Sequence, residues 1–218
     1  MNSLFKQLSF TLILSLLCAV GFGWIAMQIG DSRIDLFDST WISIIQGTHS
    51  PVLTYIMRIF SYIGAGIPAT VLALLVVYML YRRYGYRREL IFFLGVLLTS
   101  WLLNESLKLA FQRTRPTINR IAEATGYSFP SGHSMAAFTF YGILAFLIWK
   151  HLPSIWGRIV LLLFSAGMIV SIGLSRIYLG VHYPSDVIGG FLASGCLITI
   201  SIWYFQTYMV RRTQEQPV

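Results

Sequence analysis

Charge is scarce in this chain. Only 11% of its 218 residues are Asp, Glu, Lys or Arg, against about 25% in an ordinary soluble domain. So few charges cannot cover a water-facing surface, which excludes a soluble globular enzyme and a disordered chain alike. Cysteine is scarcer. Cys18 and Cys196 both sit in apolar stretches and read as packing residues, which excludes a disulfide-stapled secreted domain. No Cys/His pair has the spacing of zinc ligands. The eight acidic residues form no cluster suited to magnesium or calcium, and there is neither an internal repeat nor a low-complexity tract. What is abundant is apolar surface: 56% hydrophobic residues and a mean hydropathy of +0.69. The length then suits about six membrane-spanning helices with short loops.

The spans are expected at 8–29, 66–81, 90–109, 133–149, 155–174 and 185–208, an all-α polytopic membrane protein. The first follows Lys6 and could open a signal peptide. Its apolar run is longer than a signal core, and no small-x-small cleavage site follows. Leu16 and Leu17 also stand where a lipoprotein signal wants small residues. It reads as a retained helix. The second span is short and is open to an earlier start, because the stretch 52–63 before it is also apolar and suits an amphipathic lead-in helix at the membrane surface.

Sixteen basic residues give a net charge of +8. In a soluble protein that would suggest nucleic acid; here most of it belongs to membrane orientation and to one set of motifs, so no nucleic-acid partner is expected. With the N-terminus inside, Lys6, Arg82, Arg83, Arg87, Arg88, Lys150, Arg158, Arg211 and Arg212 lie in the cytoplasm. Arg33, Arg58, Lys108, Arg113, Arg115, Arg120 and Arg176 lie outside. Setting aside Lys108, Arg115 and Arg176, which chemistry claims below, the bias is nine against four. Both termini are therefore expected in the cytoplasm.

Three stretches carry chemistry: Lys108-x6-Arg115-Pro116, Pro130-Ser131-Gly132-His133, and Ser175-Arg176-x5-His182-x3-Asp186. Lys108 and Arg115 fall at the end of helix three of the bundle, Ser131 to His133 open helix four, Arg176 closes helix five, and His182 and Asp186 open helix six. In an up-down bundle those four ends share one membrane face. Three cations without a carboxylate cage suit a dianion such as phosphate. Ser131 and Gly132 at a helix start offer backbone N–H groups and the positive end of the dipole. A neutral imidazole can attack phosphorus, and a carboxylate on its other nitrogen fixes the tautomer. His182 and Asp186, four apart, can share a helical face. His133 can protonate the leaving oxygen.

In order and spacing the three stretches resemble the signature of the type-2 phosphatidic acid phosphatase superfamily, which spans membrane lipid phosphatases, glucose-6-phosphatases, soluble acid phosphatases and vanadium haloperoxidases. The six-helix layout and small size are similar to the bacterial phosphatidylglycerophosphatase B-type and undecaprenyl-diphosphate phosphatase enzymes. The resemblance covers residues 108–186 and implies His182 as nucleophile, Asp186 as its partner and His133 as general acid. It also implies Lys108, Arg115, Ser131, Gly132 and Arg176 as phosphate binders. Every signature position is filled.

One integral-membrane domain over 1–218 is expected, facing the extracytoplasmic side and needing neither metal nor cofactor. It would hydrolyse a lipid phosphate monoester, with phosphatidylglycerophosphate as the best single substrate and an isoprenoid diphosphate as runner-up. The partners are thus a phospholipid or isoprenoid phosphate and the bilayer itself; no oligomeric state is assigned. A transporter or lipid-binding protein that holds phosphate without cutting it is the rival class, disfavoured by the acid–base pair at helix ends. Outside the signature, Arg113 and Arg120 read as headgroup-facing charges. Glu105 either pairs with Lys108 three residues on or meets the substrate headgroup, and Asn104 beside it is a further polar residue within a span. Gly189 and Gly190 read as close helix packing.

Overall fold

A computed structural model describes residues 2–64, 66–84, 87–117 and 119–215. The side chains of Lys6, Arg83, Arg87, Arg211 and Arg212, five of the nine cytoplasmic charges above, lie outside the described residues. The described chain forms α1 (Asn2–Gly30), α2 (Asp35–Gln46), α3 (Pro51–Ile63), α4 (Gly66–Tyr84), α5 (Arg87–Phe111), α6 (Gly132–Trp149), α7 (Ile155–Tyr178) and α8 (Pro184–Glu215), with no strand among the described residues. Inside lipid only helices or closed barrels satisfy every backbone polar group, so the apolar runs have this one solution.

Five helices are long and apolar enough to cross a bilayer, and a sixth span follows if α3 and the helix after it, bent by 56° where they meet, count as one. The protein is thus a multi-pass membrane protein. Its lipid-facing surface is apolar to a degree water would not tolerate: Leu16 is 65% exposed, Leu163 68% and Trp156 72%. α6 is the central helix, packed against α5, α7 and α8 around Phe93, Phe140, Ile143 and Ile172. A chain of hydroxyls ties three helices together: Ser100 Oγ meets Thr139 Oγ1 at 2.9 Å, Thr139 donates to Ser194 Oγ at 3.3 Å, and Ser194 donates to the Met135 carbonyl at 3.1 Å. The cysteines are free, half-buried where α1 packs on α8.

Two features differ from the sequence expectation. The stretch 52–63 forms a helix, α3, with Val52, Tyr55 and Tyr62 68–71% exposed, but it does not stand apart from the bundle. α3 enters the bundle beside α7, because its polar residues find partners there: Thr54 Oγ1 meets the Tyr178 hydroxyl at 2.9 Å, Ser61 bonds Arg176, and Gly64 abuts Ile172. The segment before it forms α2, a helix not foreseen, with Asp35 and Asp38 in its first turn, where the dipole favours negative charge. Its last residue, Gln46, donates from Nε2 to the Ile177 carbonyl at 3.3 Å, pinning α2 to the end of α7.

Candidate active site

The C-terminal ends of α5 and α7 and the N-terminal ends of α6 and α8 lie together at one end of the bundle. The α5–α6 connection crosses them, and a cluster of Phe22, Phe111 and Phe129 supports it from below; the Phe22 and Phe129 rings stack with centroids 5.4 Å apart. Backbone bonds fasten this cover: the Ile121 amide donates to the Leu179 carbonyl at 3.0 Å, and the Ser131 amide to the Asp186 carbonyl at 3.0 Å.

Asp186 sits in the first turn of α8 with no exposed surface. Its carboxylate accepts from four donors. Arg113 Nη1 reaches Oδ1 at 2.7 Å, while Ser128 Oγ, the Tyr183 amide at 2.9 Å and His182 Nδ1 at 3.3 Å reach Oδ2. The Tyr183 bond is half of a capping box, in which a third-position carboxylate satisfies the amide at the helix entry. Proline at the first helical position lacks the N–H that would have no partner there. The chain turns into this helix at Gly180, whose φ of +73° places it where only glycine is comfortable.

His182 is 2% exposed. Arg115 Nη1 lies 2.9 Å from its Nε2. A guanidinium only donates, so Nε2 must accept, and the ring proton resides on Nδ1, facing Asp186. Burial first, then the Arg115 and Arg176 charges, outweigh the Asp186 carboxylate and push His182 from its usual 6.5 down to about 4. The imidazole is therefore neutral at ordinary pH, with its lone pair on Nε2.

Arg115 stands at that nitrogen, with Arg176 near it, and Lys108 lies by Gly132. Arg115 also donates to four carbonyls, of Val181, Gly126, Thr125 and Tyr127, at 2.9 to 3.0 Å. Arg176 is 6% exposed; its Nη1 bonds Ser61, but its buried Nε has no hydrogen-bond partner. Lys108 Nζ pairs only loosely with Glu105, at 3.6 Å, and stands 3.6 Å from where a side chain on Gly132 would begin. His133 feels the fields of Arg176, His182, Lys108 and Arg115. Ser131 has no exposed surface and its hydroxyl caps α6, accepting from the Ser134 amide at 3.4 Å and the Ser134 hydroxyl at 2.9 Å. Asn104 props this loop from below through Nδ2 to the Pro130 carbonyl, 3.2 Å. Among the described residues no group of three or more His, Cys, Asp or Glu is placed to hold a metal ion.

The residues named from the sequence thus gather at one end of the bundle. Glu105, half exposed, takes the first of its two expected roles, as the ion-pair partner of Lys108. Arg113 is not a headgroup-facing charge. It is 11% exposed and bridges two buried carboxylates, Asp186 and, through Nη2 at 2.7 Å, Asp38 of α2. Burial draws its proton affinity down, but the two carboxylates outweigh that and hold it above the ordinary arginine value. Three participants were not foreseen: Asp38, Ser61 and Ser128. Ser128 and Ser61 carry no sequence signal. Asp38 had one, since an acidic residue four before Ile42 in an amphipathic stretch of a chain with eight acids is conspicuous.

Comparison with known proteins agrees with this arrangement. Residues 88–209 match the PAP2 superfamily. Phosphatidylglycerophosphatase B of Bacillus subtilis is 32% identical over 199 residues, 87% of this chain and 90% of that protein. The putative undecaprenyl-diphosphatase YbjG of Escherichia coli is 39% identical over 114 residues, about half of each chain (49% and 51%). The crystal structure of a transmembrane PAP2-type phosphatidylglycerolphosphate phosphatase from Bacillus subtilis superposes with a TM-score of 0.81 at 27% identity, covering 89% of this chain and 96% of that one.

Proposed function

This chain belongs to the PAP2 superfamily and is a membrane lipid phosphatase; on that premise we propose that it hydrolyses phosphatidylglycerophosphate to phosphatidylglycerol and phosphate, without a metal, through a phosphohistidine. The chain acts as one integral-membrane domain. Its site faces the extracytoplasmic side and both termini lie in the cytoplasm, the orientation favoured by the Lys and Arg tally.

The phosphate dianion seats among Lys108, Arg115, Arg176 and the start of α6 at Gly132, which the Ser131 loop holds in place, while the acyl chains stay in the bilayer. The Arg115 N–H that holds Nε2 of His182 turns to a phosphoryl oxygen. The freed lone pair attacks phosphorus, the bond from phosphorus to the lipid oxygen breaks, and its electron pair leaves on that oxygen. His133 hands it a proton. Asp186 stabilises the positive charge that develops on the His182 ring. Water, deprotonated by His133, then attacks phosphorus, the P–N bond breaks, and His182 recovers its lone pair. The cations stabilise the charge that a metal ion supports in other phosphatases.

The observation that best supports this reading is the held tautomer of His182, with a lone pair at the edge of a buried cationic cluster in which the Nε of Arg176 has no partner. A transporter needs no such acid–base pair. The similarity to YbjG favours one second reading, an isoprenoid diphosphate substrate. The test is phosphate release in detergent from phosphatidylglycerophosphate, phosphatidate, lysophosphatidate and undecaprenyl diphosphate, compared by kcat/KM. The first is expected to lead. A clear lead for undecaprenyl diphosphate would reassign the substrate, and release from none would remove the enzyme reading. Chelators leave the rate unchanged and vanadate, a mimic of pentacoordinate phosphorus, inhibits; loss of activity with chelator would overturn the metal-free mechanism.

A further inference from the structure

We propose that Asp38, on α2 and outside all three signature stretches, is a positioning residue of this site: through Arg113 it sets how strongly Asp186 supports the His182 ring. The inference rests on the roles given above to His182 and Asp186 and extends them to a helix that the matched region, beginning at residue 88, does not contain.

The geometry is a buried relay. Asp38 is 2% exposed. Its Oδ2 accepts from Arg113 Nη2 at 2.7 Å and from the Ser185 hydroxyl at 2.6 Å, and its Oδ1 accepts from the Ser185 amide at 2.9 Å. The other arm of the guanidinium, Nη1, donates to Asp186 Oδ1 and to Ser185 Oγ, both at 2.7 Å. One planar fork thus joins two carboxylates, and Asp38 also occupies an amide in the first turn of α8 that has no partner within that helix. α2 is held for this task at both ends, by Asp38 on α8 and by Gln46 on α7.

The charges give the relay a direction. With His182 neutral, Asp38, Arg113, Asp186 and His182 sum to one negative charge. When Nε2 takes the phosphoryl group the ring becomes cationic, and the set reaches zero. Without Asp38 the set would start at zero and end positive, beside Arg115 and Arg176. The Arg113 charge would then fall undivided on Asp186, and the carboxylate would support the cationic ring less. Asp38 therefore keeps Asp186 electrostatically available to His182, although it touches neither substrate nor the reacting nitrogen.

The test uses the full chain, purified in detergent, with phosphatidylglycerophosphate as substrate. Asp38→Asn preserves shape and removes the charge. It lowers kcat on the order of 10- to 100-fold, by analogy with the loss of an outer partner that orients a metal-binding imidazole, with KM little changed. It also moves the acid limb of kcat/KM to lower pH. Asp186, Arg115, Arg176 and His133 face His182, and Arg113 stands behind Asp186; none of these changes in the variant, and the ionisation of the substrate is common to both profiles. A purely structural Asp38 would lower kcat and melting temperature without moving the limb. In an Arg113→Met background, adding Asp38→Asn causes no further loss of kcat, because the path is already cut. An unchanged kcat in Asp38→Asn, an unmoved limb, or additive losses in the double variant would overturn the proposal. If Asp38→Asn alone does not fold, the comparison of Arg113→Met with the double variant still decides it. His182→Ala is run alongside: full activity there would sink the nucleophile assignment, a result separable from any of these.

Discussion

The two ends of the α5–α8 bundle carry ion pairs of nearly the same length in very different settings. At the end with the histidines, Arg113 meets Asp38 and Asp186 at 2.7 Å, with side chains 11%, 2% and 0% exposed. At the far end Lys150 meets Glu89 at 2.8 Å, with side chains 47% and 11% exposed, so that only the lysine stands in water. Distance does not separate them; burial does. Water screens the far pair and competes for its partners. At the buried end the removal of any member leaves an uncompensated charge in a medium that cannot hydrate it. The proposed mechanism relies on the same scarcity of water, because cations, imidazoles and a carboxylate act more strongly on a phosphate that water does not screen.

The sharpest way to break that comparison is to remove the nucleophile. His182→Ala is expected to lower turnover about 10⁴-fold, roughly 5.5 kcal/mol of barrier, while the protein elutes from size exclusion like the parent. Substantial residual phosphate release would show that the buried end does not do the chemistry. Next comes Arg113→Met, which strips the shared partner from two buried carboxylates. It should cost about 3–5 kcal/mol of stability, read by thermal unfolding in detergent; a melting curve like the parent's would mean that the relay is no more than a surface pair.

The pH profile tests the same burial. Because His182 is pushed down to about 4, its lone pair is free above that pH and lost below it. The limb it governs in kcat/KM should lie well below 6.5, and a nucleophile limb at 6.5 would mean a solvated ring. Packing is gentler. Gly189→Ala places a methyl against the Phe129 ring under the site cover, and overpacking of this kind costs about 1–3 kcal/mol. Smallest is Lys150→Met at the far end, where the lysine stands half in water although Glu89 is 11% exposed; it is expected to cost about 1 kcal/mol, and a loss as large as that of Arg113→Met would erase the contrast between the two ends.

The sequence read the spanning helices well, because a run of apolar residues has one hydrogen-bonded solution in lipid. The span expected at 133–149 is α6 at Gly132–Trp149, and the one expected at 90–109 is α5, extended by three residues at its start and two at its end. It also indicated which residues would meet around His182, since motifs at the ends of consecutive antiparallel helices come to one face. It read 52–63 as a lead-in helix without its packing on α7, because hydropathy reports composition, whereas the hydroxyls of Thr54 and Ser61 answer to partners on α7. Arg113 was read as a surface charge for a like reason: nothing in Gln112-Arg113-Thr114 says that two carboxylates wait on other helices.

What the sequence alone determined is therefore what local physics controls: that apolar helices cross the bilayer, where α5 to α8 begin to within three residues, and that His182 and Asp186, four residues apart at a helix start, face one another. What only the tertiary structure decided is the company those residues keep. Asp38 stands 75 positions from Arg113 and 147 from Ser185. No periodicity links positions that far apart; their meeting depends on how α2 lies across the ends of α7 and α8. In a bundle whose helix faces are uniformly apolar, that placement is fixed by a few buried polar contacts rather than by the pattern of the chain.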